Sequence, residues 1–128
     1  MADDLHKHCF ACSSTVQSGL RLKYRLNNNT ITGKCIISKR YQGYDDIVHG
    51  GIIATILDSS MVHLFYLRDG LKLKTAKLNI WFRKQIPINK RFIVTARVDD
   101  SARHYYKAMS QIIINNIIFA EAEGYFRK

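Results

Sequence analysis

Apolar and polar positions divide the chain into stretches of different period. Arg21 to Leu26 and Thr30 to Ile37 read as two strands. Asn27-Asn28-Asn29 between them suits backbone with positive φ, so a hairpin is predicted. From Ser38 to His49 neither period holds, and Tyr41-Gln42-Gly43-Tyr44-Asp45-Asp46 reads as a loop pivoting on its glycine. Between Gly50 and about Leu67 the period becomes helical: Ile52, Ile53, Ile56, Leu57, Ser60, Met61, Leu64 and Phe65 recur at helical spacing, and Arg68-Asp69-Gly70 supplies a stop. Its apolar residues cover so much of the circumference that this helix must be mostly buried, wrapped by something larger than a neighbouring helix, such as a curved sheet. Beyond Gly70 the pattern returns to strands: Lys72 to Lys84, Lys90 to Asp99, Arg103 to Asn115 and Ile117 to Arg127. Pro87, Asp99-Asp100-Ser101 and Asn115-Asn116 separate them. The predicted order is ββαββββ. Short turns between consecutive strands imply antiparallel pairing, and one long helix on one such sheet gives an α+β layer architecture. Neither an internal repeat nor a linker interrupts it, so residues 1–128 are expected to form a single domain.

Composition agrees with a packed core. Hydrophobic residues make up 47% of the chain, in runs such as IIATIL and QIIINNIIF, and Pro87 is the single proline. No stretch reaches the roughly 18 uninterrupted apolar residues of a membrane span, and MADDLHKH is polar where a signal peptide is apolar, so a cytoplasmic, membrane-free protein is expected. Cys9, Cys12 and Cys35 are an odd set in a chain with a good core, which points to reduced thiols. The formal charge of +10 is spread over the chain, with pairs at Lys39-Arg40, Arg83-Lys84 and Lys90-Arg91. Such a field attracts polyanions, whether nucleic acid or a substrate bearing the phosphates of coenzyme A. Charge alone does not separate them.

Asp58 is the residue hardest to explain structurally, because it lies within Ile56-Leu57-Asp58-Ser59-Ser60-Met61 of the apolar helix. A carboxylate there must be paired, hydrogen-bonded or turned to solvent. His49-Gly50-Gly51 opens the same helix. The first N–H groups of a helix lack internal partners and carry partial positive charge, so they can donate to an anion, and glycine lets a ligand come close. A plain helix entry explains HGG alone; HGG with a carboxylate at a fixed interval is more specific. Eight residues along a helix span about 12 Å, so one chain cannot bring Gly50 and Asp58 to one carbonyl. If the pair is catalytic, Asp58 of one subunit must meet Gly50 of another across a twofold axis.

These residues resemble the hot-dog thioesterases of the phenylacetate-pathway, PaaI-like type. Matching are Tyr41-Gln42-Gly43-Tyr44, HGGIIATILDSSM at 49 to 61, Thr75-Ala76-Lys77-Leu78-Asn79-Ile80 and Ile86-Pro87. Further matches are His8-Cys9-Phe10-Ala11-Cys12 and Gly19-Leu20-Arg21-Leu22, so the likeness covers nearly the whole chain. It implies an antiparallel sheet wrapped around one central helix, pairing as homodimers and often as dimers of dimers, with acyl-CoA thioesters as substrates and no cofactor. By position it implies that the Gly50 N–H polarises the thioester carbonyl, with His49 and Gly51 shaping that loop. Asp58 of the partner chain then acts as nucleophile or as the base that activates water. Where related enzymes often carry an asparagine six residues before the histidine, this chain has Gly43, and the adjacent Gln42 is the candidate substitute. Thr75 matches a hydroxyl residue that often supports the attacking water.

Other readings compete. His6-x-His8-Cys9-x-x-Cys12 offers four metal ligands in seven residues, but structural zinc sites usually join two separated pairs, so no metal is expected. Ser59, Ser60 and His63 cannot form a triad with Asp58, because helix neighbours point in different directions. Cys35 reads as an inert strand thiol and His104 as a surface or core residue. Trp81, Phe82 and Tyr105 could stack nucleic-acid bases beside Arg83, Lys84 and Arg103, yet half of any strand's side chains must face the core, and no recognised nucleic-acid motif occurs. Arg83, Lys84, Lys90 and Arg103 are assigned instead to the phosphates of coenzyme A. A hot-dog domain that binds acyl-CoA without hydrolysing it is a further alternative.

Overall fold

A computed structural model describes residues 6–102 and 104–128. Strands β1 (Arg25–Asn27) and β2 (Thr30–Cys35) precede one long helix, α1 (Gly50–Asp69). Strands β3 (Lys74–Phe82), β4 (Phe92–Asp99), β5 (Tyr106–Ile114) and β6 (Ile117–Arg127) follow it, so the ββαββββ order holds. Asn28, at φ 58°, turns the first hairpin, and Asn115 and Asn116, at φ 51° and 66°, turn the last, which is the double positive φ of a tight two-residue hairpin. The first strand is shorter than its sequence pattern predicts. Leu22 N–H bonds to the Ala11 carbonyl (2.9 Å), so the backbone before β1 serves the N-terminal arm instead of the sheet.

The six strands form one antiparallel sheet in the order β1-β2-β4-β5-β6-β3. One expectation fails: β3 and β4 are consecutive but not neighbours. The segment between them is long enough to cross from one edge of the sheet to its interior. It is pinned on the way by Val48 N–H to the Ile86 carbonyl (2.8 Å) and Asn89 N–H to the Ile37 carbonyl (2.7 Å). As a result β3 is an edge strand, hydrogen-bonded on one side only, to β6.

Helix α1 touches all six strands. Ile53, Ile56, Leu57 and every residue from Ser59 to Phe65 are buried, as the wide apolar surface predicts. The facing side of the sheet is Val94 and Ala96 of β4, Ala108, Ser110 and Ile112 of β5, and Ala120, Ala122 and Phe126 of β6. Small residues there let the helix lie close, and each large side chain buried between the layers contributes about 2 kcal/mol. Ser60 belongs to this seam: its hydroxyl reaches Ser110 Oγ (2.7 Å) and donates to the Leu57 carbonyl (2.6 Å). At 20 residues α1 is long and apolar enough to cross a membrane, but its own sheet covers much of that surface.

Candidate active site

His49 is the N-cap of α1, and its Nδ1 accepts the Gly51 N–H at 2.8 Å. That bond settles the use of the first helical donors. The Ile52 and Ile53 N–H groups both return to the His49 carbonyl (2.9 and 3.1 Å), whereas the Gly50 N–H has no partner among the described residues. The Gly51 N–H is thus committed to the cap. Its lack of a side chain still matters, because a Cβ there would sit 3.1 Å from His49 Nδ1. The loop before the helix is held in turn by His49 N–H to the Tyr41 carbonyl (2.9 Å) and by the Asp46 N–H donating to Gln42 Oε1 (3.0 Å). Gln42 and His49 line one shallow depression, with the Gln42 amide nitrogen left over as a donor. A Cβ at Gly43 would lie 3.2 Å from His49 Cα, so the glycine permits a tight loop at the position where related enzymes often carry an asparagine.

Asp58 sits half-buried on α1 and accepts a hydrogen bond from the Thr75 hydroxyl at 2.6 Å. A bulge in β3 makes this possible. The register with β6 shifts between Thr75 and Lys77, so Thr75 stands opposite Phe126 while Leu78 stands opposite Gly124 and Ile80 opposite Ala122. The extra residue reverses the alternation of faces and turns Thr75 toward the helix. Burial pushes the Asp58 carboxyl above its ordinary pKa, while the Thr75 hydroxyl and the neighbouring His6 pull the other way.

At the other end of β3, Phe82 lies against the helix start; its ring would be 3.8 Å from a Cβ on Gly50. A cavity of about 310 Å³ opens beside it, lined by Tyr44, Val48, Gly50, Phe82, Arg83 and Lys84 among others. Two of the four basic residues assigned to phosphates thus share a cleft with Gly50. Arg83 is partly neutralised there by Glu121 (3.0 Å) and packs near the Trp81 ring. Lys90 is exposed and does not line that cleft, and Arg103 lies outside the described residues.

The remaining candidates fall elsewhere. Cys35 is buried in β2, and burial pushes its thiol up to about 12, in keeping with an inert core residue. His104 is exposed. The outer face of β3 and β6 interleaves Trp81 and Tyr125 with Glu121 and Glu123, a mixed-charge surface ill suited to stacking a polyanion. His63 does not face Asp58. It is fully buried against Tyr24 and His6, and His6, Cys9 and Cys12 of the N-terminal motif converge beside it. The bulge, the cleft and the approach of His63 to His6 join residues distant in sequence, and no local pattern announces them.

No known family profile matches the chain, and no curated protein matches it in sequence. Solved structures do match. A thioesterase superfamily protein designated RHA08564 superposes with a TM-score of 0.84 at 19% identity, over 94% of this chain and 63% of the other. This chain thus spans under two thirds of that protein's length. The Escherichia coli PaaI protein from the phenylacetic acid degradation operon gives a TM-score of 0.76 at 14% identity, over 85% and 84% of the two chains. The BH2602 protein from Bacillus halodurans, solved with CoA, gives 0.74 at 19% identity, over 89% and 78%. The chain has the α+β hot-dog fold shared by these proteins.

Proposed function

We propose that this chain is an acyl-CoA thioesterase whose sites are each assembled from two subunits. One observation carries the reading: the Asp58–Thr75 pair and the unpartnered Gly50 N–H stand at opposite ends of the same edge strand. An open edge invites pairing with another strand. When β3 pairs antiparallel with its own copy about Leu78, Thr75 of one chain comes opposite Trp81 of the other, and Lys74 opposite Phe82. The same twofold axis sets Asp58 of one subunit toward Gly50 of its partner, and an isologous dimer holds two such sites. Dimers of dimers would add further contacts without changing either site.

In this site the thioester carbonyl oxygen accepts the Gly50 N–H, which stabilises the negative charge that develops on attack. The Asp58 carboxylate either attacks the carbonyl carbon or takes a proton from the water that does, and Thr75 holds it. The C–S bond breaks, the thiolate takes up a proton, and water supplies the hydroxyl of the free acid. Arg83 and Lys84 meet phosphates of the nucleotide portion, with Lys90 and Arg103 as outlying members of the same basic field. The CoA in the BH2602 structure and the thioesterase names of the other neighbours support this choice of substrate.

Incubating a panel of acyl-CoA esters with the protein and measuring free thiol tests the reading. Hydrolysis of at least one ester is expected, and Asp58→Asn should reduce kcat by at least about 100-fold while leaving the fold intact. Full activity in that variant removes Asp58 from the chemistry. Tight acyl-CoA binding with no thiol release would favour the second reading, a binding protein on the same fold.

A further inference from the structure

The N-terminal arm folds back onto α1 as a tight turn. Within Cys9-Phe10-Ala11-Cys12-Ser13, the Ser13 N–H bonds to the Cys9 carbonyl (3.0 Å). The following segment straps this turn down through Leu20 N–H to the Phe10 carbonyl (2.6 Å) and Leu22 N–H to the Ala11 carbonyl (2.9 Å). Gly19 makes the approach possible, since a Cβ there would lie 2.5 Å from the Phe10 carbonyl oxygen. The turn gathers one ligand atom from each of His6, Cys9 and Cys12 within 4.8 Å of one another, and Cys9 and Cys12 form no disulfide. His6 Nδ1 lies 3.3 Å from Cys12 Sγ. A tetrahedral zinc ion separates nitrogen and sulfur ligands by about 3.6 Å, given bonds of roughly 2.05 and 2.3 Å. The Ala11 N–H points at Cys9 Sγ (3.4 Å), which helps to fix the sulfur's position in the turn.

A second observation comes from the helix. His63 has no exposed surface, and neither of its ring nitrogens has a hydrogen-bond partner among the described residues. A neutral imidazole carries one donor and one acceptor, and leaving both unsatisfied inside a core calls for an explanation. The His63 ring stands edge-on to the His6 ring at 5.8 Å between centroids. Two imidazoles on one tetrahedral zinc ion stand about 5 Å apart by the same geometry. The converging ligand atoms are those of His6, Cys9 and Cys12, and His8 is exposed and not among them; His63, next to His6 on the helix, is the residue placed to add the remote ligand that the motif lacks.

We infer that His6, Cys9, Cys12 and His63 form a binding site for a thiophilic divalent cation of the zinc class, a Cys2His2 set that ties the N-terminal arm to helix α1. Two thiolates and two neutral imidazoles suit such an ion, whereas calcium and magnesium require oxygen ligands. Loading releases the two thiol protons to solvent and leaves the ion neutralised. Four protein ligands leave no open position, so the site is structural, although its ligand His6 neighbours Asp58.

The test is metal binding by the full chain, read by the metal and not by activity. Protein stripped with a chelator and reloaded should hold one zinc ion per chain by mass spectrometric metal analysis. Cobalt(II) in its place should show the intense visible bands of a tetrahedral site together with thiolate-to-metal charge transfer. In a competition against a chromophoric chelator, Cys9→Ser and His63→Gln should each weaken zinc binding by at least about 100-fold, with His8→Ala unchanged. A wild-type affinity no tighter than that of Cys9→Ser, or a cobalt spectrum without the thiolate band, overturns the site. Loss of binding in Cys9→Ser with full retention in His63→Gln overturns the four-ligand set. The cobalt spectrum of the wild-type protein decides the matter even where a variant fails to fold.

Discussion

Asp58 is subject to opposing influences that make its protonation a measurable property of single neighbours. Burial favours the neutral acid; the Thr75 hydroxyl and the nearby His6 favour the carboxylate, and the net shift is upward. If the ionised form does the chemistry, activity is present above this raised pKa and is lost as pH falls through it, at a higher pH than for an ordinary aspartate. Thr75→Val removes a contribution that holds the pKa down. Its acidic limb should therefore move further up in a profile of kcat/KM against pH, with a milder loss at high pH than Asp58→Asn shows. An unmoved limb would separate Thr75 from the ionised site. Asp58 stands out in the sequence because a carboxylate inside an apolar helix must be paired, hydrogen-bonded or turned to solvent, and the structure shows the hydrogen bond. Thr75 was not legible on physical grounds: only the β3 bulge turns it toward the helix, and a single extra residue leaves no mark on the hydrophobic pattern. Gly51 illustrates the converse, since HGG correctly locates the helix start but does not reveal that the cap consumes one of its N–H groups.

At the scale of elements, the close seating of α1 on β6 rests on Gly124. A Cβ there would lie 2.6 Å from the Phe126 ring and 2.9 Å from Met61 Cε, and both side chains are fully buried. Gly124→Ala should overpack this contact and destabilise the protein by about 1–3 kcal/mol, lowering Tm by roughly 5–10 °C in a calorimetric scan. An unchanged Tm would mean that the Phe126 ring moves aside freely. The helix and the β5–β6 hairpin were readable because each announces itself within a short window, by period, by asparagines at positive φ and by the Gly70 stop. Strand order was not readable, since the β3–β6 pairing joins distant segments and the crossing from β3 to β4 looks like an ordinary loop. The N-terminal motif was visible as a set of possible ligands, but its fourth proposed member was not, since His63 lies on the helix, far from the motif.

For the whole molecule, the question is whether one chain or two build the site, and helix geometry gives a clean way to ask it. Gly50 is the first residue of α1, where proline is well tolerated because that N–H has no helical partner. The preceding residue, His49, already has ψ 135°, the extended value that a following proline favours over the helical one. Nothing approaches a Cβ at Gly50 more closely than 3.8 Å. Gly50→Pro should therefore fold with its helix intact while deleting the N–H proposed to polarise the carbonyl, and it should be as inactive as Asp58→Asn. In a dimer of one chain of each kind, one site combines both defects and the other has neither. Random pairing makes half the dimers mixed, each with one working site of two, so co-expressed chains should recover about a quarter of wild-type activity. Heterodimers isolated through different tags should show half. Folded heterodimers with no activity would place Asp58 and Gly50 of the same chain in each site, a span of about 12 Å that no single carbonyl bridges, and would end the two-subunit mechanism.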